Sequence, residues 1–480
     1  MGSMKERKTM HRTRRGCSVL GILAVGAGLV VAPQAPSAAV ARWGAIPLAF
    51  TPTATSSLGN GTAFIIGGSG LATPGPSYID SAVSLYLEPL GFEGTTQALT
   101  TPQQLYPFLG PFGGTLDESV AQGQQVLFEA IMAQYQNGEL SAENPAVVFG
   151  WSQGAIIESM VQYQLADAGV PSDYVHFVMI GDVSAPNGGM LSRFNLPEIG
   201  PVSLPSLGLT FSGAGPSDLY QAEVYNREYD GFADFPQYPI NFLSVLNAIF
   251  GIAFQHTTYL GLTEDQIANA ILLPNVSEDS LTNYYMIPTE GLPLLYPLLF
   301  FGSGGQALYD LFEPVTRILV NLGYGSIEHG WSDGPADVAT RLGFLPDPDT
   351  LATLMQELPQ ALSNAWQQGV SDFFDEILHP SDTPPAFFAE MEGFINAISD
   401  TEIADFFSYF PTLDDLFGNF PPHTGIPLLD VGSALLFNLP QVNYDVFTTL
   451  LAEGDLLNAL GTTIALDVGI LPLAVLGALL

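Results

Sequence analysis

The chain has 480 residues, 47% of them hydrophobic, and carries 48 Asp and Glu against 11 Lys and Arg, a formal net charge of −37. Beyond Arg42 the only cations are Arg193, Arg227, Arg317 and Arg341, with no lysine at all. A body so poor in cations cannot neutralise a phosphate backbone, which excludes nucleic-acid binding.

Lys5, Arg7, Lys8, Arg12, Arg14 and Arg15 precede an uncharged stretch, Gly16 to Ala41, whose centre Val19 to Val31 is apolar. Ala39-Val40-Ala41 supplies small residues at −3 and −1 of a cut, so residues 1–41 read as an export signal. Left uncut, the same segment is an N-terminal membrane anchor. Either way the basic residues hold the N-terminus inside and put the remainder outside the cytoplasm, in the cell envelope or at the outer face of the plasma membrane. The sole cysteine, Cys17, lies in this signal, so the exported body has no disulfide, thiolate metal site or cysteine nucleophile.

Residues 62–66 form an apolar run closing on Gly67-Gly68-Ser69-Gly70. A second run, 145–150, leads at once into a helical pattern in which Ile156, Ile157, Met160, Val161 and Leu165 recur at helical spacing. Residues 174–180 and 222–225 are further apolar runs. Buried strands alternating with helices predict a mostly parallel α/β sheet covered on both faces, with its site at the carboxyl ends of the strands. A helix is expected from Ile240 to Phe254. From about residue 346 the chain is rich in Phe, Leu, Asp and Pro and reads as helical, and Leu460 to Leu480 reads as a core helix or a lipid-facing element. The expected organisation is therefore 1–41 signal or anchor, 42–345 α/β domain, and 346–480 helical extension.

Gly150-Trp151-Ser152-Gln153-Gly154 matches G-x-S-x-G with a strand before it and a helix after it. A serine on such a sharp turn has Oγ exposed at the top of the sheet, and the new helix points N–H groups at a developing oxyanion. Ser152 is the candidate nucleophile, and the amides of Gln153 and Ser69 are the candidate oxyanion donors.

The base must come from six histidines. His11 belongs to the signal, His176 sits inside a strand run, and His379 and His423 lie outside the sheet pattern. Of the remaining two, His256 follows both the serine and the candidate acids and is preferred to His329. The acid is expected in Val224 to Pro236. Asp230 comes directly off the strand end and is the first choice, with Asp234 the alternative. Ser, Asp, His is the chain order of α/β-hydrolases. No H-E-x-x-H or EF-hand spacing occurs and the acids are scattered as a solvated surface, so neither a metal nor a cofactor is expected.

Gly67–Gly70, the Gly150–Gly154 elbow, Gly181-Asp-Val-Ser-Ala-Pro-Asn-Gly-Gly189, Tyr229-Asp-Gly-Phe-Ala-Asp-Phe-Pro236, His256-Thr-Thr-Tyr259 and Asn321-Leu-Gly-Tyr-Gly325 together resemble the PE-PPE domain of mycobacteria. The resemblance covers about residues 60–345. It implies a cutinase-like serine α/β-hydrolase with Ser152 as nucleophile, His256 as base and the acid within Tyr229–Pro236. An export signal joined directly to such a domain is similar to the acyltransferases that complete acylated trehalose glycolipids. That likeness implies acyl transfer between trehalose lipids at a membrane surface. The same residues also suit a secreted esterase or lipase, or a non-catalytic envelope binding module. Residues Leu292 to Phe301 are a candidate wall for an acyl-chain groove, or ordinary core.

Overall fold

Seven segments pair into one sheet: β1 (Thr62–Ile66), β2 (Thr95–Ala98), β3 (Ala146–Trp151), β4 (Val175–Ile180), β5 (Gln221–Arg227), β6 (Ile271–Leu272) and β7 (Thr282–Ile287). The computed structural model describes residues 58–109, 113–196, 200–381, 383–403, 423–453 and 455–479. The expected signal and His11 lie outside them. The strand order is β2-β1-β3-β4-β5-β7-β6, with every pairing parallel except that of β6 on β7.

The apolar runs become the central strands because residues of both parities need burial. Ala63, Ile65, Val147, Phe149, Val178 and Ile180 enter one core with Tyr78, Tyr86 and Leu260. Their neighbours Phe64, Ile66, Val148, Phe177 and Met179 enter another core on the opposite face. That second core is closed by α1 (Leu116–Gln136), through Leu127 and Ile131, and by α2 (Gln153–Asp167), through Ala155, Ile157, Val161 and Leu165. Helix α1 starts in a capping box: Thr115 Oγ1 accepts the Glu118 N–H at 3.3 Å and Glu118 Oε2 accepts the Thr115 N–H at 3.2 Å. The sheet is thus covered on both faces, as the sequence predicts.

From β1 the chain runs outward to β2, then returns to the other side of β1 and continues through β3, β4, β5 and β7. The direction reverses between β1 and β3. At their carboxyl ends such neighbouring strands leave a crevice, which is where open α/β sheets hold their ligands.

Helix α3 (Phe242–Phe254) lies between β5 and β6, and beyond β7 come α4 (Gly302–Asn321), α5 (Pro348–Leu378), α6 (Ala386–Ala397), α7 (Leu439–Ala452) and α8 (Leu456–Leu479). Helices α7 and α8 place Val442, Val446, Ala465, Leu466 and Ile470 in a third core with Met190, Phe194, Phe211, Phe235 and Val245. Among the described residues α8 is the one helix long and apolar enough to cross a membrane by length and composition, and half of its apolar window is buried. The run at 292–301 is divided: Tyr296 and Leu299 pack with Phe387 of α6, whereas Phe300 and Phe301 are exposed.

Leu127 is fully buried where α1 meets the sheet. Leu127→Ala is expected to cost about 2–5 kcal/mol through lost burial and the cavity left behind, seen as a lower urea midpoint of unfolding.

Candidate active site

Strand β3 ends at Trp151 and α2 begins at Gln153, so Ser152 alone makes the turn, with φ 57° and ψ −112°. A non-glycine residue in that conformation is strained and persists only because the surroundings fix it. The Ser152 N–H is held by the Ile180 carbonyl at 3.0 Å, and its own carbonyl accepts the Ile156 N–H at 3.2 Å, opening the helix. The flanking glycines are demanded by space. A Cβ on Gly150 would lie 2.2 Å from Glu158 Oε1 and 2.7 Å from the Gly154 backbone; one on Gly154 would lie 2.9 Å from the Gly67 carbonyl oxygen.

Helix α3 and the turn after it deliver His256 to this serine. His256 Nε2 is 2.7 Å from Ser152 Oγ, and His256 Nδ1 is 2.8 Å and 2.9 Å from the two Asp230 oxygens. The imidazole is held between the Phe232 ring, edge-on at 4.9 Å, and the Trp151 ring at 5.7 Å. Trp151 Nε1–H donates to the His256 carbonyl at 3.0 Å. Serine, histidine and aspartate are all buried.

Asp230 sits on the turn just past β5. Besides the imidazole it accepts the Tyr259 hydroxyl at 2.8 Å and the Phe232 and Ala233 N–H groups at 2.9 and 3.2 Å. Burial alone would raise its pKa, but the charge and hydrogen bond of His256, with the Tyr259 hydroxyl and the Phe232 N–H, hold the carboxyl below the ordinary range. Asp234 faces elsewhere. Its Oδ2 accepts the N–H of Tyr229, another residue at positive φ, at 3.0 Å, and burial drives its pKa well up despite nearby Arg193. Of the two acids, only Asp230 is brought to the histidine.

The other histidines stand apart. His176 is buried in β4 with its pKa pushed down to about 4 by burial, 3.9 Å from Glu223. His329 stacks on Trp331 and pairs with Asp333 at 3.0 Å. His379 is exposed and pairs with Asp375, and His423 packs on Tyr106.

Ser69, in the turn after β1, meets Gln153 through side chains: Gln153 Nε2 donates to Ser69 Oγ at 3.2 Å and to the Gln104 carbonyl at 2.8 Å, while Gln153 Oε1 accepts the Ser119 hydroxyl at 2.7 Å. The amide of Gln153 lies in the first turn of α2, where N–H groups have no intrahelical acceptor. Sequence reasoning assigned no part to Tyr259, to the Trp151 indole or to the Gln153 side chain. Tyr259 and Trp151 stand beside His256 and Ser152 in the quoted motifs, but nothing in their spacing says which atoms they reach. Among the described residues no group of three or more His, Cys, Asp or Glu is arranged to hold a metal.

A nearly parallel sheet with a strained serine at its switch point, followed along the chain by an aspartate and a histidine that converge on it, defines an α/β-hydrolase fold. Residues 93–325 match the PE-PPE domain. An uncharacterized PPE family protein of Mycobacterium tuberculosis, PPE28, is 36% identical over 91% of this chain and 67% of its own length. The chain belongs to the PE-PPE domain family. Esterase PE16 of the same organism is 41% identical over 66% of this chain and 57% of its own, and the diacyltrehalose acyltransferase Chp2 is 30% identical over 42% of this chain and 57% of its own. The chain thus spans 57–67% of the length of these relatives. A solved cutinase-like protein from Cryptococcus sp. overlaps 36% of this chain and 79% of its own at 17% identity and a TM-score of 0.23, and the fold class rests on sheet order and elbow geometry.

Asp182, directly after β4, is fully buried and burial raises its pKa to about 7, although its Oδ1 accepts the Ser184 N–H at 2.8 Å. The folded state therefore keeps a proton that the unfolded chain releases near the ordinary carboxylate value of about 4. Its stabilising effect is complete below that value and is lost as pH rises toward about 7. Asp182→Asn is expected to raise the melting temperature more at pH 8 than at pH 5. An equal shift at both would contradict a protonated Asp182.

Proposed function

We propose that this protein is a serine enzyme acting on lipid esters through an acyl-enzyme on Ser152. The observation that carries the reading is the continuous chain Ser152 Oγ, His256, Asp230, with hydrogen-bond distances of 2.7 and 2.8 Å at the switch point of the sheet. Ser152 Oγ attacks the acyl carbonyl carbon while His256 Nε2 takes its proton. The oxyanion is met by the Gln153 amide and the α2 N-terminus, with the Ser69 amide as second donor. Collapse breaks the ester bond, and the departing alcohol receives the proton from Nε2. Asp230, kept ionised, fixes the Nδ1–H tautomer and stabilises the imidazolium. Water or another hydroxyl, deprotonated by Nε2, then attacks the acyl-enzyme and returns the proton to Ser152.

Hydrolysis is the reading favoured by the higher identity and wider coverage of Esterase PE16. Acyl transfer to a trehalose glycolipid is the second, favoured by the likeness to Chp2 and by a nucleophile only 7% exposed, since transfer needs an acceptor held where water is excluded. Lipid-ester substrates, export and work at a membrane surface belong to the same proposal. They are supported by the basic N-terminal segment with its apolar centre, the four cations beyond Arg42 and the apolar α8.

A fluorophosphonate probe is expected to label Ser152 and nothing in Ser152→Ala, mapped by mass spectrometry. Labelling at another residue would overturn the assignment. Asp230→Asn is expected to slow nitrophenyl-ester turnover by about a thousandfold or more, whereas Asp234→Asn leaves the rate within about tenfold and acts on stability; the reverse ranking would make Asp234 the acid.

Incubation with an acylated trehalose separates the two fates. Free fatty acid as the only acyl product marks hydrolysis. Transfer instead gives a more highly acylated trehalose together with a deacylated one, both absent with Ser152→Ala.

A further inference from the structure

Helix α6 lies beyond the family match, which ends at residue 325, yet it closes on the residues that hold the histidine. Arg227, the last residue of β5, is 1% exposed, and its Nη2 lies 2.9 Å from Glu390 Oε2. The other oxygen of Glu390 accepts Gln266 Nε2 at 2.7 Å. With Glu390 holding one end of the guanidinium, Nη1 donates to Thr258 Oγ1, two residues past His256. The Arg227 N–H donates to the Tyr259 hydroxyl at 2.8 Å, and that hydroxyl donates to Asp230 Oδ2 at 2.8 Å.

The same helix touches the serine side. Phe394 packs edge-on against Trp151 at 5.6 Å, and Trp151 is bonded to the His256 carbonyl. Gly261 leaves no room for a side chain against α6, since a Cβ there would lie 1.9 Å from the Glu390 carbonyl oxygen. Just past α6, Asp400 accepts the Ser77 N–H at 3.2 and 3.3 Å, and Glu402–Ile403 pairs antiparallel with Leu71–Thr73, the stretch following Gly67–Gly70. One short segment therefore grips the histidine turn on one side and the Ser69 loop on the other.

We propose that residues 386–403 are a built-in positioning element of the active site, with Glu390 as the positioning residue that acts through Arg227 and Thr258 to fix the His256 turn against Ser152. This deepens the serine-enzyme reading and rests on it. A buried ion pair is a poor source of net stability, because desolvating both charges offsets their attraction. This chain has four cations beyond Arg42, and one of them is committed here. What the pair supplies is geometry: it removes the freedom of a turn on which hydrogen-bond distances to a nucleophile depend.

The test uses the full chain. Wild type is first titrated with the fluorophosphonate probe, and absence of labelling there sinks the serine-enzyme reading, not the positioning role. Given labelling, Glu390→Gln keeps shape and removes the charge. It is expected to lower kcat on a nitrophenyl ester and the probe-labelling rate by about 10- to 100-fold with KM within about twofold, as a misplaced catalytic group does. Glu390→Asp is expected to recover part of that loss. Labelling and kcat at wild-type values in Glu390→Gln overturn the proposal, whatever happens to its melting temperature. If Glu390→Gln fails to fold, the double variant Arg227→Met/Glu390→Met removes both charges together. Folded and slow, it supports positioning; folded and as fast as wild type, it overturns it.

Discussion

Burying the Asp230 carboxylate commits the chain around it. A charge in the interior must be met by donors on nearly every side, or the group takes up a proton and ceases to serve as an anion. Here the donors are the His256 imidazole, the Tyr259 hydroxyl and the N–H groups of Phe232 and Ala233. Each fixes something else: the N–H groups fold the turn after β5, and Tyr259 ties the turn after α3 back to β5 through the Arg227 N–H. Satisfying one carboxylate aligns two turns of the β5–β6 connection, one on each side of α3. The alignment of His256 with Ser152 follows from it.

The chain handles its scarcity of cations in a consistent way. Arg193 and Arg227 are fully buried, so half of the cations beyond Arg42 act as internal fasteners. Arg193 donates to the carbonyls of Phe235 and Thr340 and to the Ser332 hydroxyl, linking the loop after β4 to the loops that follow the acid. Several other buried acids, without an arginine against them, have their pKa raised instead. Burial raises the pKa of Glu158, beneath the elbow, and both its oxygens lack a hydrogen-bond partner; Asp182 and Glu223 are pushed up to about 7. An interior of this kind favours moderately acid conditions over alkaline ones.

The C-terminal helices divide their work. Helices α7 and α8 extend the core over the loop after β4, with Phe194 and Phe235 as the shared apolar surface. Helix α6 instead meets the β5 end and the histidine turn, where its contacts include a buried ion pair as well as apolar packing. The second arrangement reaches the residues beside Ser152 through Trp151 and the His256 turn.

The sequence by itself determined the strands with continuous apolar runs, the elbow and the order of the candidate residues, because those signals are local: burial on both faces, glycines where a Cβ has no space, and strand-to-helix succession. It did not reveal β2, whose Thr-Thr-Gln-Ala is an exposed edge, or β7, whose Thr-Asn-Tyr-Tyr opening breaks the apolar pattern. Nor did it decide between Asp230 and Asp234, four residues apart in one turn-forming segment. That choice depends on which carboxylate the turn aims at a histidine 26 residues further on and which at the amide of Tyr229. Likewise Glu390 looks in sequence like any acid on a helix surface. Its burial against Arg227 is a contact across 163 residues, and only the packing of α6 onto the end of β5 brings the two charges together.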